Sequence, residues 1–471
     1  MKTENFRMSV RRIQVCLCLC GGLFAAISTV ASERRHSYCF RLYLKDKGVA
    51  ETAISSPKAF LSPEAIERRT KWNVEITMLD VPVSPACIEL ITATGVHVVT
   101  QSKWLSTVVV ESDDSLSTER LKALPMVDSV VCVWRGEDRL TLPACSDDTS
   151  SLTPATARTE GEYGYAASQI AMLNGLRLHE AGRRGQGMRI AVIDAGFRHA
   201  DRIDAFASLQ LLGTCNMVFP GRSVFCEDDH GTKVLACLAA YLPGYLIGTA
   251  PEASYLLLKS EDPRAEYPLE EDYWAAAVEY ADSVGVDIVT SSLGYYRFDL
   301  PDTVYRPSDL DGRTAFITRA AQAAADRGIL VFCSAGNEGG HDWERITFPA
   351  DAPDILTVGA ITSNETLSNF SSKGFTADYR IKPDVVALGA GVCVVDGGGD
   401  IHFASGTSFS APLVAGMGAC LWQALPWLGN KEVINLIRRT ASKAAQPDAE
   451  FGYGIPNIYK AYLEELHESA K

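Results

Sequence analysis

The sequence lacks an excess of positive charge and contains no low-complexity tract. Its 44 lysine and arginine residues are outnumbered by 58 aspartate and glutamate residues, and the formal net charge is -14. This balance disfavours binding to nucleic acid or to an anionic membrane surface. With 471 residues, 47% of them hydrophobic, the chain can still bury a sizeable core. We therefore expect a globular protein with more than one domain and no nucleic-acid partner.

Metal-binding patterns are also missing. None of the 13 cysteines forms a CxxC pair, which argues against a zinc site. The loop Asp309–Gly312 is similar to a calcium loop but lacks the closing acidic residue of an EF-hand. We expect no metal ligands and no required cofactor, with structural calcium as an alternative that no clear motif supports. Cys215 and Cys226 are close enough in sequence to form a disulfide in an exported protein, although the sequence does not determine the connectivity.

Only one apolar stretch approaches the length needed to span a membrane, and it lies at the N-terminus. Basic residues precede an apolar run over 13–30, and small residues at 29–32 offer a cleavage site. Residues 1–32 are therefore predicted to be a signal peptide. We expect an exported protein: periplasmic, outer-membrane-associated or secreted. An uncleaved membrane or lipid anchor is the alternative, because a run of this length is borderline for spanning.

Residues 36–143 are predicted to form a small α+β domain. Outside an insertion at about 46–83, strand and helix signals follow the order β-α-β-β-α-β, which is typical of a ferredoxin-like sandwich. The insertion contains a short helix signalled by Ser62-Pro63-Glu64, with a capping serine and proline in the first turn. This fold alone does not identify a function.

A polar stretch over 144–162 has the composition of an exposed linker, and such linkers are where proteases cut. Over residues 163–460 strands and helices alternate, which predicts an α/β fold of three layers, a parallel sheet flanked by helices. The acidic run over 261–272 is expected to form a solvated rim.

Four polar residues stand where a parallel α/β sheet places its ligand site. Asp194 and Asn337 follow buried strands, while His230 and Ser408 lie at the starts of helices. Ligands bind beyond the carboxyl ends of such strands, so these side chains are expected to converge. Taken alone, Ser408 is more typical of an ordinary helix N-cap than of a nucleophile.

The sequence around these residues resembles that of the subtilisin-like serine proteases, or subtilases. Four motifs carry the resemblance in chain order: Val192–Gly196, His230–Val234, Ala335–Gly339 and Gly406–Pro412. A serine hydrolase of the esterase or lipase type would instead show a G-x-S-x-G elbow and the order Ser, Asp, His. Ala195 stands where the family usually has serine or threonine, so one hydroxyl near Asp194 is missing.

The resemblance implies a serine endopeptidase that hydrolyses polypeptides through an acyl-enzyme on Ser408. His230 would be the general base and acid, Asp194 would orient it, and Asn337 would donate to the oxyanion. Substrate binding would fall to four residues: Ser292, Leu293, Gly294 and Gly336. A non-catalytic binding protein that retains the fold is the competing interpretation.

The resemblance also implies that the first domain is a pro-domain. It would act as an intramolecular inhibitor or chaperone and be released by cleavage within 144–162. The insertion at about 46–83 is atypical of short pro-domains, so a permanent accessory domain is the alternative. The active protein is expected to be a monomer.

Overall fold

The computed structural model describes residues 36–137, 145, 150–300 and 303–469. The predicted signal peptide, residues 1–32, lies outside these ranges. None of the helices within the described ranges combines the length and the apolar character needed to cross a membrane.

The first domain forms one antiparallel sheet with helices in the predicted order. Its elements are β1 (His36–Leu44), α1 (Pro63–Lys71), α2 (Pro85–Thr92), β2 (His97–Ser102), β3 (Thr107–Ser112), α3 (Ser117–Lys122) and β4 (Val127–Glu137). The strands lie in the order β2-β3-β1-β4. A central β1 between β3 and β4 is the arrangement expected of a ferredoxin-like sandwich, so this fold prediction is confirmed.

The insertion between β1 and α2 contains the predicted capped helix. The Ser62 hydroxyl accepts a hydrogen bond from Ala65 N at 3.1 Å, and Pro63 occupies the first helical position of α1. Three short 3-10 helices complete the insertion: Glu51–Ser55, Pro57–Ala59 and Met78–Asp80.

The second domain alternates strands and helices. Its elements are α4 (Ala167–Ala171), α5 (Leu176–Glu180), β5 (Arg189–Asp194), β6 (Gln210–Asn216), α6 (His230–Ala239), β7 (Tyr241–Leu242), β8 (Leu246–Ile247), β9 (Ser254–Lys259), α7 (Leu269–Val284), β10 (Ile288–Ser291), α8 (Phe316–Asp326), β11 (Leu330–Ser334), β12 (Leu356–Ile361), β13 (Val385–Leu388), β14 (Ala390–Val395), β15 (Ile401–Ser405), α9 (Thr407–Ala424), α10 (Asn430–Thr440) and α11 (Ile458–Ser469). Short 3-10 helices lie at Asp204–Phe206 and Pro307–Asp309.

A seven-stranded sheet in the order β13-β12-β11-β10-β5-β9-β6 forms the middle layer, and its paired strands are parallel. Alternate residues of β5 face opposite sides: Ile190 and Val192 join the core that contains α6 and α9, while Ala191 and Ile193 join the core that contains α7 and α8. Both faces of the sheet are therefore covered, and the predicted three-layer fold is confirmed.

The acidic run ends on a helix that the first domain covers. Glu270, Glu271 and Asp272 in the first turn of α7 are buried. Arg41 of β1 donates to the two carboxylate oxygens of Asp272 at 2.7 and 2.6 Å. The expectation of a solvated rim was therefore wrong for this part of the run, because the first domain covers it and supplies a distant arginine that compensates the charge of Asp272.

The predicted disulfide between Cys215 and Cys226 was also wrong. Cys226 is bonded to Cys145, and Cys215 instead lies at the end of β6, with its Sγ 3.9 Å from Met217 Sδ. Cys215 belongs to a strand that packs against the core beneath α7 and α8. Proximity in sequence therefore did not place the two sulfurs within bonding reach.

Candidate active site

Three neighbouring strands bring the predicted residues to one edge of the sheet. In the order β11-β10-β5, the carboxyl ends lead to Asn337, to Ser292–Gly294 and to Asp194 respectively. Helices α6 and α9 begin beside the same edge with His230 and with Thr407-Ser408. Because the carboxyl ends of parallel strands lie at the same edge of the sheet, motifs that are far apart in the sequence lie close together in space.

Asp194 and His230 form a direct pair. His230 Nδ1 lies 2.6 Å from Asp194 Oδ1, and the carboxylate is fully buried. An ionised carboxylate can only accept, so Nδ1 carries the proton and Nε2 is left as the basic nitrogen of the neutral ring. Ala195 N donates to the same Oδ1 at 2.8 Å, whereas Asp194 Oδ2 has no hydrogen-bond partner in the described part of the chain.

A glycine makes this pairing sterically feasible. A Cβ added to Gly231 would lie 2.4 Å from Gly196 O and 3.0 Å from Asp194 Cβ. Only a residue without a side chain lets the first turn of α6 approach β5 so closely. The His-Gly sequence therefore sets the distance between the imidazole and the carboxylate.

The pKa of His230 is raised to about 9. Burial by itself would lower this pKa, because it disfavours the charged imidazolium. The charge and the hydrogen bond of Asp194 outweigh that effect, and the charges of Asp228 and Glu261 act in the same direction. The site thus stabilises the imidazolium that forms when His230 accepts a proton.

Ser408 is held against the segment that follows β10. Ser292 Oγ donates to Ser408 O at 2.8 Å, and Ser408 Oγ donates to Ser292 O at 3.4 Å. The Phe409 ring lies 5.9 Å from the His230 ring, measured between centroids. Ser408 is the second residue of α9, where backbone N–H groups have no acceptor within the helix.

The side chain of Asn337 is oriented by Thr407. Thr407 N donates to Asn337 Oδ1 at 2.9 Å, and Thr407 Oγ1 donates to the same atom at 3.0 Å. A backbone N–H can only donate, so this contact fixes which amide atom is the oxygen. The amide N–H groups of Asn337 remain for another acceptor, beside the start of α9.

Two of the four predicted substrate-binding residues, Gly294 and Gly336, lie against one threonine. A Cβ on Gly294 would lie 2.1 Å from Thr347 Oγ1, and one on Gly336 would lie 2.8 Å from that atom. Gly336 also has a φ of +103°, which side-chain-bearing residues rarely adopt. A cavity of about 630 Å³ begins here, and its wall includes Gly294 and Glu338.

Metal ligands are not gathered at this edge. The described ranges contain no cluster of three or more His, Cys, Asp or Glu side chains arranged to hold an ion. In the calcium-like loop, Asp309 accepts from Arg306 N at 2.8 Å and Asp311 accepts from Thr314 N at 2.8 Å. In this structure the two carboxylates therefore bind backbone N–H groups of their own loop.

Sequence reasoning missed the residues that support the site. Thr407 lies within the serine motif, but nothing in its pattern indicated that it would orient Asn337. Thr347 lies outside all four motifs. Glu261 belongs to the acidic run and lies outside the four motifs, so nothing in the sequence indicated its influence on His230.

A nucleophile, a base with a paired carboxylate and oriented amide donors are the groups that acyl transfer requires. A family model described as the subtilase family matches residues 185–454, more than half of the chain. The chain belongs to the subtilase family. It is accordingly a serine peptidase, and the enzyme class implied by the four motifs is confirmed.

Curated relatives agree with this assignment. The chain is 28% identical to subtilisin BL of Lederbergia lenta over 286 residues, which cover 60% of this chain and 93% of that protein. It is 28% identical to subtilisin E of Bacillus subtilis (strain 168) over 320 residues, which cover 65% of this chain and 76% of that protein. An alkaline protease of Alkalihalobacillus alcalophilus is 27% identical over 284 residues, which cover 60% of this chain and 66% of that protein.

The first domain matches a model of its own. A peptidase S8 propeptide domain from Bacteroidota matches residues 39–142, a range that includes the insertion. The pro-domain interpretation is therefore confirmed at the level of domain type, and the insertion does not count against it.

Proposed function

We propose that this subtilase is an exported endopeptidase that cleaves polypeptides through an acyl-enzyme on Ser408. The observation that carries the proposal is the 2.6 Å contact between His230 Nδ1 and Asp194 Oδ1 at the same sheet edge as Ser408. Export is supported by the signal-like N-terminal sequence. The enzyme acts as a monomer, without nucleic acid and without a required cofactor.

In the proposed mechanism, Ser408 Oγ attacks the scissile carbonyl and passes its proton to His230 Nε2. Rotation about the Cα–Cβ bond moves Oγ from its contact with Ser292 O towards the imidazole, since catalytic hydrogen bonds often tighten only once substrate is bound. Asp194 keeps the ring oriented and stabilises the imidazolium. His230 then protonates the leaving amine, and a water molecule hydrolyses the ester.

The tetrahedral intermediate is stabilised by two donors, the Asn337 side-chain amide and Ser408 N–H. Support comes from the two hydrogen bonds that Thr407 donates to Asn337 Oδ1. These bonds orient the side-chain amide before the oxyanion forms, so no reorganisation is needed. The substrate backbone adds as a strand to Ser292, Leu293 and Gly294, and Gly336 leaves room on the opposite side.

The first domain acts as an intramolecular inhibitor and folding aid, and the peptide chain is cut within the connecting segment, residues 144–162. Support comes from the match of residues 39–142 to a propeptide domain and from its contacts with α7.

Hydrolysis of a peptide library tests the proposal. We expect Ser408→Ala to lower kcat by about 10⁶-fold, the scale known for the nucleophile of subtilisin itself. Ser405→Ala, which removes an exposed hydroxyl three residues upstream, should retain activity. Equal activity of the two variants would refute the assignment of Ser408.

A further inference from the structure

The insertion of the first domain reaches the far end of α7. Ser62 N donates to Ser283 O at 2.9 Å, and Ser62 Oγ donates to Val284 O at 3.0 Å. These bonds satisfy carbonyl groups in the last turn of α7, which have no partners within the helix. Residues 62–80, which we call the clamp segment, therefore begin on the second domain.

Two adjacent arginines of the clamp segment meet one aspartate of α7. Arg68 Nη2 lies 2.6 Å from Asp282 Oδ1, and Arg69 donates to the two carboxylate oxygens of Asp282 at 2.9 and 3.0 Å. All three side chains are buried. Burial favours a raised pKa for Asp282, but the charges of Lys103, Arg68 and Arg69 hold that pKa well below its usual range.

A second carboxylate extends these contacts across the interface. Asp80 of the clamp segment accepts from Arg69 at 2.8 Å and from Arg327 of the second domain at 2.7 Å. The charges thus alternate from Asp282 through Arg69 and Asp80 to Arg327. The buried network crosses between the domains twice, so neither domain satisfies it alone.

An aromatic contact completes the clamp. Trp72 stacks on Trp422 with 6.2 Å between ring centroids, and Trp422 belongs to α9, the helix that begins at Thr407-Ser408. Beside it, Gly328 has a φ of +80° and lies so near Trp72 that an added Cβ would be 3.0 Å from the ring. The insertion therefore packs on a face of the second domain that lacks the predicted catalytic residues.

We propose that the clamp segment keeps the first domain bound to the second domain after the connecting segment has been cut. This inference rests on the proposed function, which supplies the cut. Dissociation must expose Asp282, Arg327 and Trp422 together, and a buried charge that loses its partner resists separation until water replaces that partner. The surface formed by these three residues is the docking site for the clamp segment of the same chain.

The test uses a full-length Ser408→Ala chain in which a site-specific protease sequence replaces residues 138–144. The cut is then independent of the chain's own activity, and Cys145 stays with the second domain. After cutting, the dissociation constant of the two pieces is measured by gel filtration over a dilution series. We expect the two pieces to co-elute when the interface is unaltered. In the double variant Arg68→Ala/Arg69→Ala, their dissociation constant should be roughly 100-fold larger.

Asp282→Asn tests the same contact from the second domain and should weaken binding by tenfold or more. Arg120→Ala is the matched control, because Arg120 pairs with Asp114 on the exposed surface of the first domain. Circular dichroism of each uncut chain verifies folding. A change of less than tenfold in the folded Asp282→Asn chain would overturn the proposal. Failure of the wild-type chain to cut itself would count against the proposed function alone, since here the cut is supplied.

Discussion

At the scale of single residues, the charge balance around His230 is set by more than its partner Asp194. Glu261 raises the pKa of His230, and Glu261 has its own pKa raised to about 7, chiefly by burial. Asp194 Oδ2 lacks a hydrogen-bond partner among the described residues. The charges of Asp228 and Glu261 therefore add to that of Asp194 in favouring the imidazolium of His230.

The raised pKa of His230 determines how catalysis depends on pH. A general base must be neutral, so kcat/KM of the processed enzyme should rise with pH and level off only as the pH passes the raised His230 pKa of about 9. Glu261→Gln should move the inflection to lower pH because it removes a charge that favours the imidazolium. The exposed residue Glu365, changed to Gln, is the control. A wild-type inflection at or below about 6.5, the ordinary histidine value, would contradict this assignment.

At the scale of elements, a neutral histidine in α5 binds this helix to neighbouring segments of the second domain. His179 Nε2 donates to Thr249 O at 2.9 Å, so its Nδ1 must accept from the Tyr163 hydroxyl at 3.0 Å. Burial lowers the pKa of His179 to about 4, helped by the charge of Arg184 and opposed by the bond to Thr249. Protonation would remove the acceptor and place a charge in the core.

This contact predicts a loss of stability in acid. The folded-state pKa is below the unfolded value, so the stabilisation is complete above about pH 6.5 and is lost as the pH falls towards 4. The free energy of unfolding of the Ser408→Ala chain should be about 2 kcal/mol lower at pH 5 than at pH 7 through this residue. His179→Gln should lack that component, and the exposed His97→Gln should keep it. If the free energy of unfolding fell equally between pH 7 and pH 5 in the His179→Gln and Ser408→Ala chains, His179 would not be the source of the acid sensitivity.

Element order and the position of the site could be predicted because they depend on local signals. Buried strands followed by Asp194 and Asn337, and helices opened by His230 and Ser408, must converge in a parallel sheet. The burial of Asp272 could not be predicted, since its partner Arg41 is 231 residues away. The same holds for Cys226, whose partner Cys145 is 81 residues away. Long-range compensation of charge and long-range disulfides leave no periodic pattern.

At the scale of the whole molecule, the segment over residues 150–162, which follows the first domain, is bound to the second domain. Leu152 N donates to Arg202 O at 3.1 Å, and Thr159 N donates to Gly244 O at 2.8 Å. Cys145 is joined to Cys226, four residues before His230. A cut beyond residue 150 would have to break these backbone contacts first.

We therefore expect the processed second domain to begin at or before residue 150. Intact-mass analysis of active protein, with and without reductant, locates the cut. A cut after Cys145 leaves the first domain attached until the disulfide is reduced, whereas an earlier cut frees it from covalent attachment. An N-terminus beyond residue 150 would contradict the role given to residues 150–162 as part of the folded second domain.

The identity of the nucleophile is the central claim, and mass mapping of a fluorophosphonate adduct tests it most directly. The processed enzyme is labelled, digested and sequenced by mass spectrometry, with Ser408→Ala and Ser405→Ala treated in parallel. We expect a single adduct on Ser408 in the wild-type and Ser405→Ala proteins and none in Ser408→Ala. An adduct on a different residue, or labelling that survives in Ser408→Ala, would contradict the account.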